Sequence, residues 1–295
     1  YMMKQLGFVI WMALLGIGIG AQEPEPLIGD VNGGSRSVPV HRIPLLDEDG
    51  QEISPDDDPL LPFSIRQTCA LKCHNYGVIT SGWHFNAGTD DIPAGRPGHP
   101  SIWVDPSTGI QIPLSYRAWP GTHKPDALGV TPWEFSRRFG RQFPGGGVAE
   151  FEPTANPGKT MRILVSGKLE ANCLACHDAD PAHDQGEAAI QIGRENFRWA
   201  AASTNGLASV NGSAQKMPDT YDYMMPEPPD DPKIVPPGIE YRAGIFDSKK
   251  QVFFSIVRRI PRERCYYCHS TLDLESSRVG QWRADEDVHL AAGLE

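Results

Sequence analysis

The chain has no excess of basic residues: 27 Lys and Arg stand against 37 Asp and Glu, a formal net charge of −10. Duplex binding needs a cationic surface to neutralise phosphates. No basic stripe supplies one, so nucleic acid is excluded as a partner. Past the first twenty residues there is no second long apolar run, and a membrane-spanning helix requires about 20 such residues. No period of about 20–50 residues recurs, which excludes a solenoid. No cysteine stands outside three local pairs. The 30 Gly and 27 Pro make the chain loop-rich without making it low-complexity. Apolar residues at 40% and seven Trp exclude a disordered chain.

Residues 1–20 carry Lys4, then an uncharged apolar stretch from Leu6 to Ile19, then the small residues Gly18 and Gly20. That pattern predicts a secretory signal peptide cut after Gly20 or Ala21, and hence a periplasmic or extracellular protein that is not an integral membrane protein. The alternative is a retained anchor, for which the apolar run is short. Residues 21–62 read as an acidic lead-in punctuated by Pro and Gly, and residues 63–295 as the main domain. The start at Tyr1 and the stop at Glu295 lead to the expectation of a gene fragment whose domain continues beyond 295.

Thr131-Pro132-Trp133-Glu134 presents an N-cap, a proline at the first helical position and a capping-box glutamate, which predicts a helix to about Gln142. A second helix is expected over 186–203, with Ala189, Ile192, Asn196 and Trp199 on one stripe. Residues 217–238 form a Pro-rich connector. Tyr241–Phe246 and Gln251–Val257, flanking Asp247-Ser248-Lys249-Lys250, read as a β-hairpin. The expected fold is mainly α and irregular, with short motif-bearing helices, long ordered loops and this one small hairpin.

The chemistry sits in the cysteines. Cys69 and Cys73 precede His74, Cys173 and Cys176 precede His177, and Cys265 and Cys268 precede His269. The two-residue spacing followed by His is the attachment pattern of c-type haem; the first pair is one residue longer. Residues three or four apart lie on one face of a helical turn, so both thiols reach one porphyrin edge and the next residue places its imidazole under the iron. By composition alone, one such motif is expected about 0.004 times in this chain. The extra residue in the first motif turns the second thiol by about 100° on an ideal helix.

Two other readings compete. Paired cysteines hold structural zinc, but tetrahedral zinc has no use for a His directly after each pair, and nine ligands fit four-coordinate sites poorly. Disulfides staple exported chains, yet a staple gains most by joining distant segments, and these pairs are local.

The chain resembles the exported multihaem c-type cytochromes, which carry sparse motifs of this kind and bis-histidine haems. The likeness rests on Gly82-Trp83-His84-Phe85, Glu170-Ala171-Asn172-Cys173, Asn196-Phe197-Arg198-Trp199-Ala200, Glu263-Arg264-Cys265 and Asp287-Val288-His289-Leu290. It implies three covalently bound haem c groups, with His74, His177 and His269 as proximal ligands. It also implies His84 and His289 as first choices for distal ligands. His183 and His123 follow from their positions, then His99, with His41 read as a surface residue. Met224 or Met225 is a thioether alternative.

The leading expectation is electron transfer in the periplasm or at the cell surface. Redox proteins, other multihaem cytochromes or quinol-linked membrane donors are the partners. A competing expectation is a reductase or oxidase of small nitrogen or sulfur compounds at one open haem, with Arg137, Arg138 and Arg141 as substrate-facing groups. A third is a haem-bearing module of a larger surface cytochrome.

Overall fold

The structure is a computed structural model that describes residues 40–80, 84, 101–116, 120–140, 157–221 and 231–267. The expected signal peptide, Cys268, His269, His99, His289, Arg141, Met224 and Met225 lie outside these residues. Among the described residues no helix is long and apolar enough to cross a membrane.

The expectation of a mainly helical fold is wrong. In chain order the strands are β1 (Arg42–Pro44), β2 (Ser101–Val104), β3 (Gln111–Leu114), β4 (Ala208–Asn211), β5 (Gly238–Tyr241) and β6 (Gln251–Phe253). The α-helices are α1 (Tyr76–Thr80), α2 (Pro132–Phe139), α3 (Pro157–Ser166), α4 (Leu174–His177) and α5 (Gln185–Gly193). Among the described residues the strands form three separate two-stranded antiparallel sheets, β1–β6, β2–β3 and β4–β5. The cause is the punctuation of the chain. Helices cut short by Pro, Gly and polar caps leave many backbone groups unpaired, and extended segments meet that demand by pairing with one another.

The expected hairpin around Asp247 is also corrected. The turn itself forms: Asp247 N–H donates to Gln251 O at 2.9 Å and Lys250 N–H to Asp247 O at 2.9 Å. The segments on either side pair elsewhere. β5 runs against β4, with Val210 opposite Ile239, and β6 runs against β1, with Ile43 opposite Val252. Alternation marks a segment as a strand but does not name its partner.

Helix α2 begins where the cap pattern puts it, with Glu134 N–H donating to Thr131 Oγ1 at 3.2 Å. The return half of the capping box is replaced. The Glu134 carboxylate takes Arg137 at 2.7 and 2.8 Å and Arg138 at 2.5 Å. The stripe Ala189, Ile192, Asn196 and Trp199 is buried. It is not one helix, however: α5 stops at Gly193, Glu195 adopts φ 61, and a 3-10 turn covers Phe197–Trp199. Asn196 takes other work there, accepting from Ala214 N–H at 2.8 Å and donating to Gly212 O at 3.1 Å.

The main core gathers Leu45, Ile53, Phe63, Leu174, Trp199 and Phe254 from the whole described length. Leu45 and Ile53 come from the acidic lead-in, whose described part is therefore built into the core. Each such fully buried side chain contributes about 1.5–3 kcal/mol. A smaller cluster sets Leu114 of β3 against Phe135 and Phe139 of α2.

Two glycines separate conformational from steric demand. Gly109 has φ +72 and open space around it, whereas Gly212 has φ +69 and would thrust a Cβ into the Pro236 carbonyl. Gly109→Ala is expected to cost about 1–2 kcal/mol from the left-handed backbone alone. Gly212→Ala should lose about 1–3 kcal/mol more by overpacking. Urea unfolding of both variants checks the difference.

Candidate haem-attachment sites

The second motif is built on α4. Asn172 opens the helix, its Oδ1 accepting from Leu174 N–H at 3.1 Å. His177 N–H then donates to Cys173 O at 3.0 Å and Cys176 N–H to the same oxygen at 3.3 Å. These bonds put both thiols on one turn, the arrangement a doubly tethered porphyrin edge needs. His177 is clamped to the segment that follows β6. Its Nδ1 lies 2.9 Å from Val257 O, and Val257 N–H donates to His177 O at 2.9 Å. A carbonyl only accepts, so Nδ1 carries a proton in this contact and Nε2 is the nitrogen left to face a metal. That is the second-shell bond that orients a ligating histidine. The residues of this motif therefore fit a covalently tethered haem.

The first motif is held by the approach to the second. Cys69 lies in a wide π-turn over Arg66–Ala70, a geometry that often marks a local insertion or a functional site. Ser64 Oγ donates to both Glu170 oxygens at 2.8 and 3.0 Å, and Arg66 N–H donates to Glu170 Oε2 at 3.0 Å. On the other flank, Ala171 N–H donates to Tyr76 Oη at 2.7 Å. Residues 170–172 thus tie one attachment segment to the other. Cys69 and Cys173 both pack on the main core, and Cys173 lies close enough to help hold the Cys69 pKa above its ordinary value.

The third motif begins in a 3-10 turn over Arg262–Tyr267. Arg264 donates to Asp178 O at 2.6 Å, directly after His177, and also to Tyr267 Oη. Cys265 lies within electrostatic reach of Cys176. Among the described residues, the first motif and the start of the third therefore each approach the second, although about a hundred residues separate each from the next.

Burial pushes the thiols up. Cys173 rises to about 11, chiefly through desolvation and then through Cys176 and Glu170. Cys69 and Cys176 shift the same way for the same first reason. At neutral pH these are thiols; the Arg264 charge beside Cys176 opposes the upward shift there without reversing it. Among the described residues, no group of three or more His, Cys, Asp or Glu converges to hold a metal ion.

The distal candidates fall in different settings. His84 and His123 are exposed, and His123 pairs its backbone with Pro113 and Ser115 beside β3. His183 is fully buried. Its Nδ1 lies 3.0 Å from Asp178 Oδ2 and its Nε2 3.3 Å from Gln185 Oε1. Its ring stacks on Tyr267 at 5.8 Å and 17°, bridging the second and third motifs. His41 is half-buried beside His74; burial first, and then the His74 charge, hold its pKa below the ordinary 6.5. Arg137 and Arg138 are engaged by Glu134.

Sequence reasoning missed Val257, since a main-chain carbonyl leaves no mark in the side-chain pattern. It also missed the fastening role of Glu170, whose only sign was its place in the block before Cys173. No family model matches the chain, and neither a curated protein nor a solved structure matches it.

Burial raises the Glu170 pKa above its ordinary 4.5, against the bonds from Arg66 and Ser64 that lower it. A raised carboxylate contributes stability that is fully present below the unfolded pKa and is lost as pH rises through the folded one. Glu170→Gln is neutral throughout. Its stability relative to the parent is expected to increase as pH rises from about 4 to 7, as read from urea midpoints. A constant difference across that range overturns the assignment.

Proposed function

We propose that the chain is an electron-transfer segment of a multihaem c-type cytochrome, exported to the periplasm or cell surface. The observation that carries this reading is the approach of the first motif and of the start of the third to the second, Cys69 being acted on by Cys173 and Cys176 by Cys265 within electrostatic reach. Zinc or disulfide use gives no reason for a histidine after every pair, nor for buried, neutral thiols.

Cys69 with Cys73, Cys173 with Cys176, and Cys265 with Cys268 hold one haem each, and His74, His177 and His269 supply the proximal imidazoles. Haem iron, once bound, supplies one-electron ferric–ferrous chemistry. The protein's part is to orient the ligands and keep the groups close. Val257 O fixes the His177 tautomer. Glu170 and Tyr76 fasten the first motif to the second, and Arg264 fastens the third to the second. Redox proteins, other multihaem cytochromes and quinol-linked donors are the corresponding partners. The reading of an open catalytic haem has less support, since two of its proposed substrate-binding arginines are bound to Glu134.

Expression with a haem-maturation system tests the proposal. Pyridine haemochromogen assay and intact mass are expected to give three covalent haems, and Cys173→Ala/Cys176→Ala two. A protein that binds zinc instead, or that leaves maturation without haem, overturns it.

A further inference from the structure

We propose that His183 positions the second and third haem sites and ligates neither iron. It holds Asp178, the residue after His177, and seats Tyr267, the residue before Cys268. The inference rests on the multihaem reading and moves His183 from the distal candidates to the supporting structure.

Both ring nitrogens of His183 are already engaged. Nδ1 lies 3.0 Å from Asp178 Oδ2 and Nε2 3.3 Å from Gln185 Oε1. The ring packs against Tyr267, with centroids 5.8 Å apart and planes 17° from parallel. The residue has no exposed surface. An iron ligand must present a nitrogen lone pair to a space that admits a porphyrin, and this ring does neither. His177 is in the opposite state, with Nδ1 held by Val257 O and Nε2 left to face a metal.

What the ring does hold is Asp178, itself buried. Each group of that residue has a task. Its N–H donates to Leu174 O at 3.1 Å, within the turn that carries Cys173 and Cys176. Its carbonyl accepts from Arg264 at 2.6 Å. Oδ1 accepts from Asp180 N–H at 2.9 Å, which leaves Oδ2 to His183. A buried carboxylate stripped of a donor is costly, so losing the His183 bond drives Asp178 to turn and to carry His177 with it. The ring is anchored from behind: His183 N–H donates to Asp180 O at 3.1 Å, and Asp184 N–H to Thr204 O at 2.8 Å. Arg264 also binds Tyr267 Oη. Asp178, His183, Tyr267 and Arg264 thus close a loop of contacts between the two motifs, of the kind that orients a ligating histidine from outside the coordination sphere.

The test is low-temperature EPR on the full chain loaded with haem, comparing His183→Phe, His183→Asn and Asp178→Ala with the parent. Pyridine haemochromogen assay on each sample counts the haems. His183→Phe keeps an aromatic ring against Tyr267 and loses the bond to Asp178. It is expected to leave the spin states of the parent unchanged and to shift the largest g-value of one haem, since that value follows the orientation of the axial imidazoles. Asp178→Ala is expected to shift the same signal. His183→Asn, whose amide N–H stands near the place of Nδ1, should return that signal toward the parent. A new high-spin signal equal to one haem in His183→Phe, cleared by added imidazole, makes His183 a ligand and overturns the proposal. Parent spectra in both His183→Phe and Asp178→Ala overturn it too, as does a shift in His183→Asn as large as in His183→Phe. If His183→Phe fails to fold, Asp178→Ala decides by the same signal. A parent protein with no covalent haem is a separate outcome that overturns the multihaem reading, and this inference with it.

Discussion

The buried Glu170 carboxylate is the fastener on which the candidate site depends. It accepts from Ser64 and Arg66 at the head of the first motif, and it lies three residues before Cys173. Desolvation makes a buried carboxylate costly unless donors meet it, and these donors are available only when residues 64–66 lie against residue 170. The requirement of satisfying Glu170 therefore sets the relative position of two attachment segments. Ala171 and Asn172 extend the effect, one binding Tyr76 and the other starting α4.

Around this fastener the chain is assembled from short pieces rather than long elements. Among the described residues, three two-stranded sheets and helices of ten residues or fewer leave little local cooperativity. Isolated hairpins and short helices are marginal alone. The main core holds them together by drawing on residues from Leu45 to Phe254. The β1–β6 pair joins the two ends of the described length, bringing Ile43 opposite Val252. The same stretch continues from β6 to Val257, which binds His177 of the second motif.

The local signals in the sequence were readable where the physics is local. The Thr131 cap, the buried stripe through Ile192 and Trp199, and the turn at Asp247 all depend on near neighbours. The cysteine–histidine spacing was readable for the same reason, because helical geometry places two thiols on one face. What was not readable depends on distant partners. β5 and β6 look like one hairpin but answer to β4 and β1. Leu45 and Ile53 sit in a stretch whose acidic, Pro-punctuated composition hides two core residues. The stripe was read as one helix because Asn196 shows its preference for Ala214 and Gly212 only in the folded chain.

The central claim rests on the proposed function: motifs about a hundred residues apart, whose described cysteines approach one another, would hold haems close enough to couple magnetically. Low-temperature EPR during stepwise reduction tests it most directly. Coupled haems predict that reducing one centre shifts or sharpens the signal of its neighbour, through loss of a nearby paramagnet. Spectra that are simple sums of three independent ferric centres at every stage contradict the account.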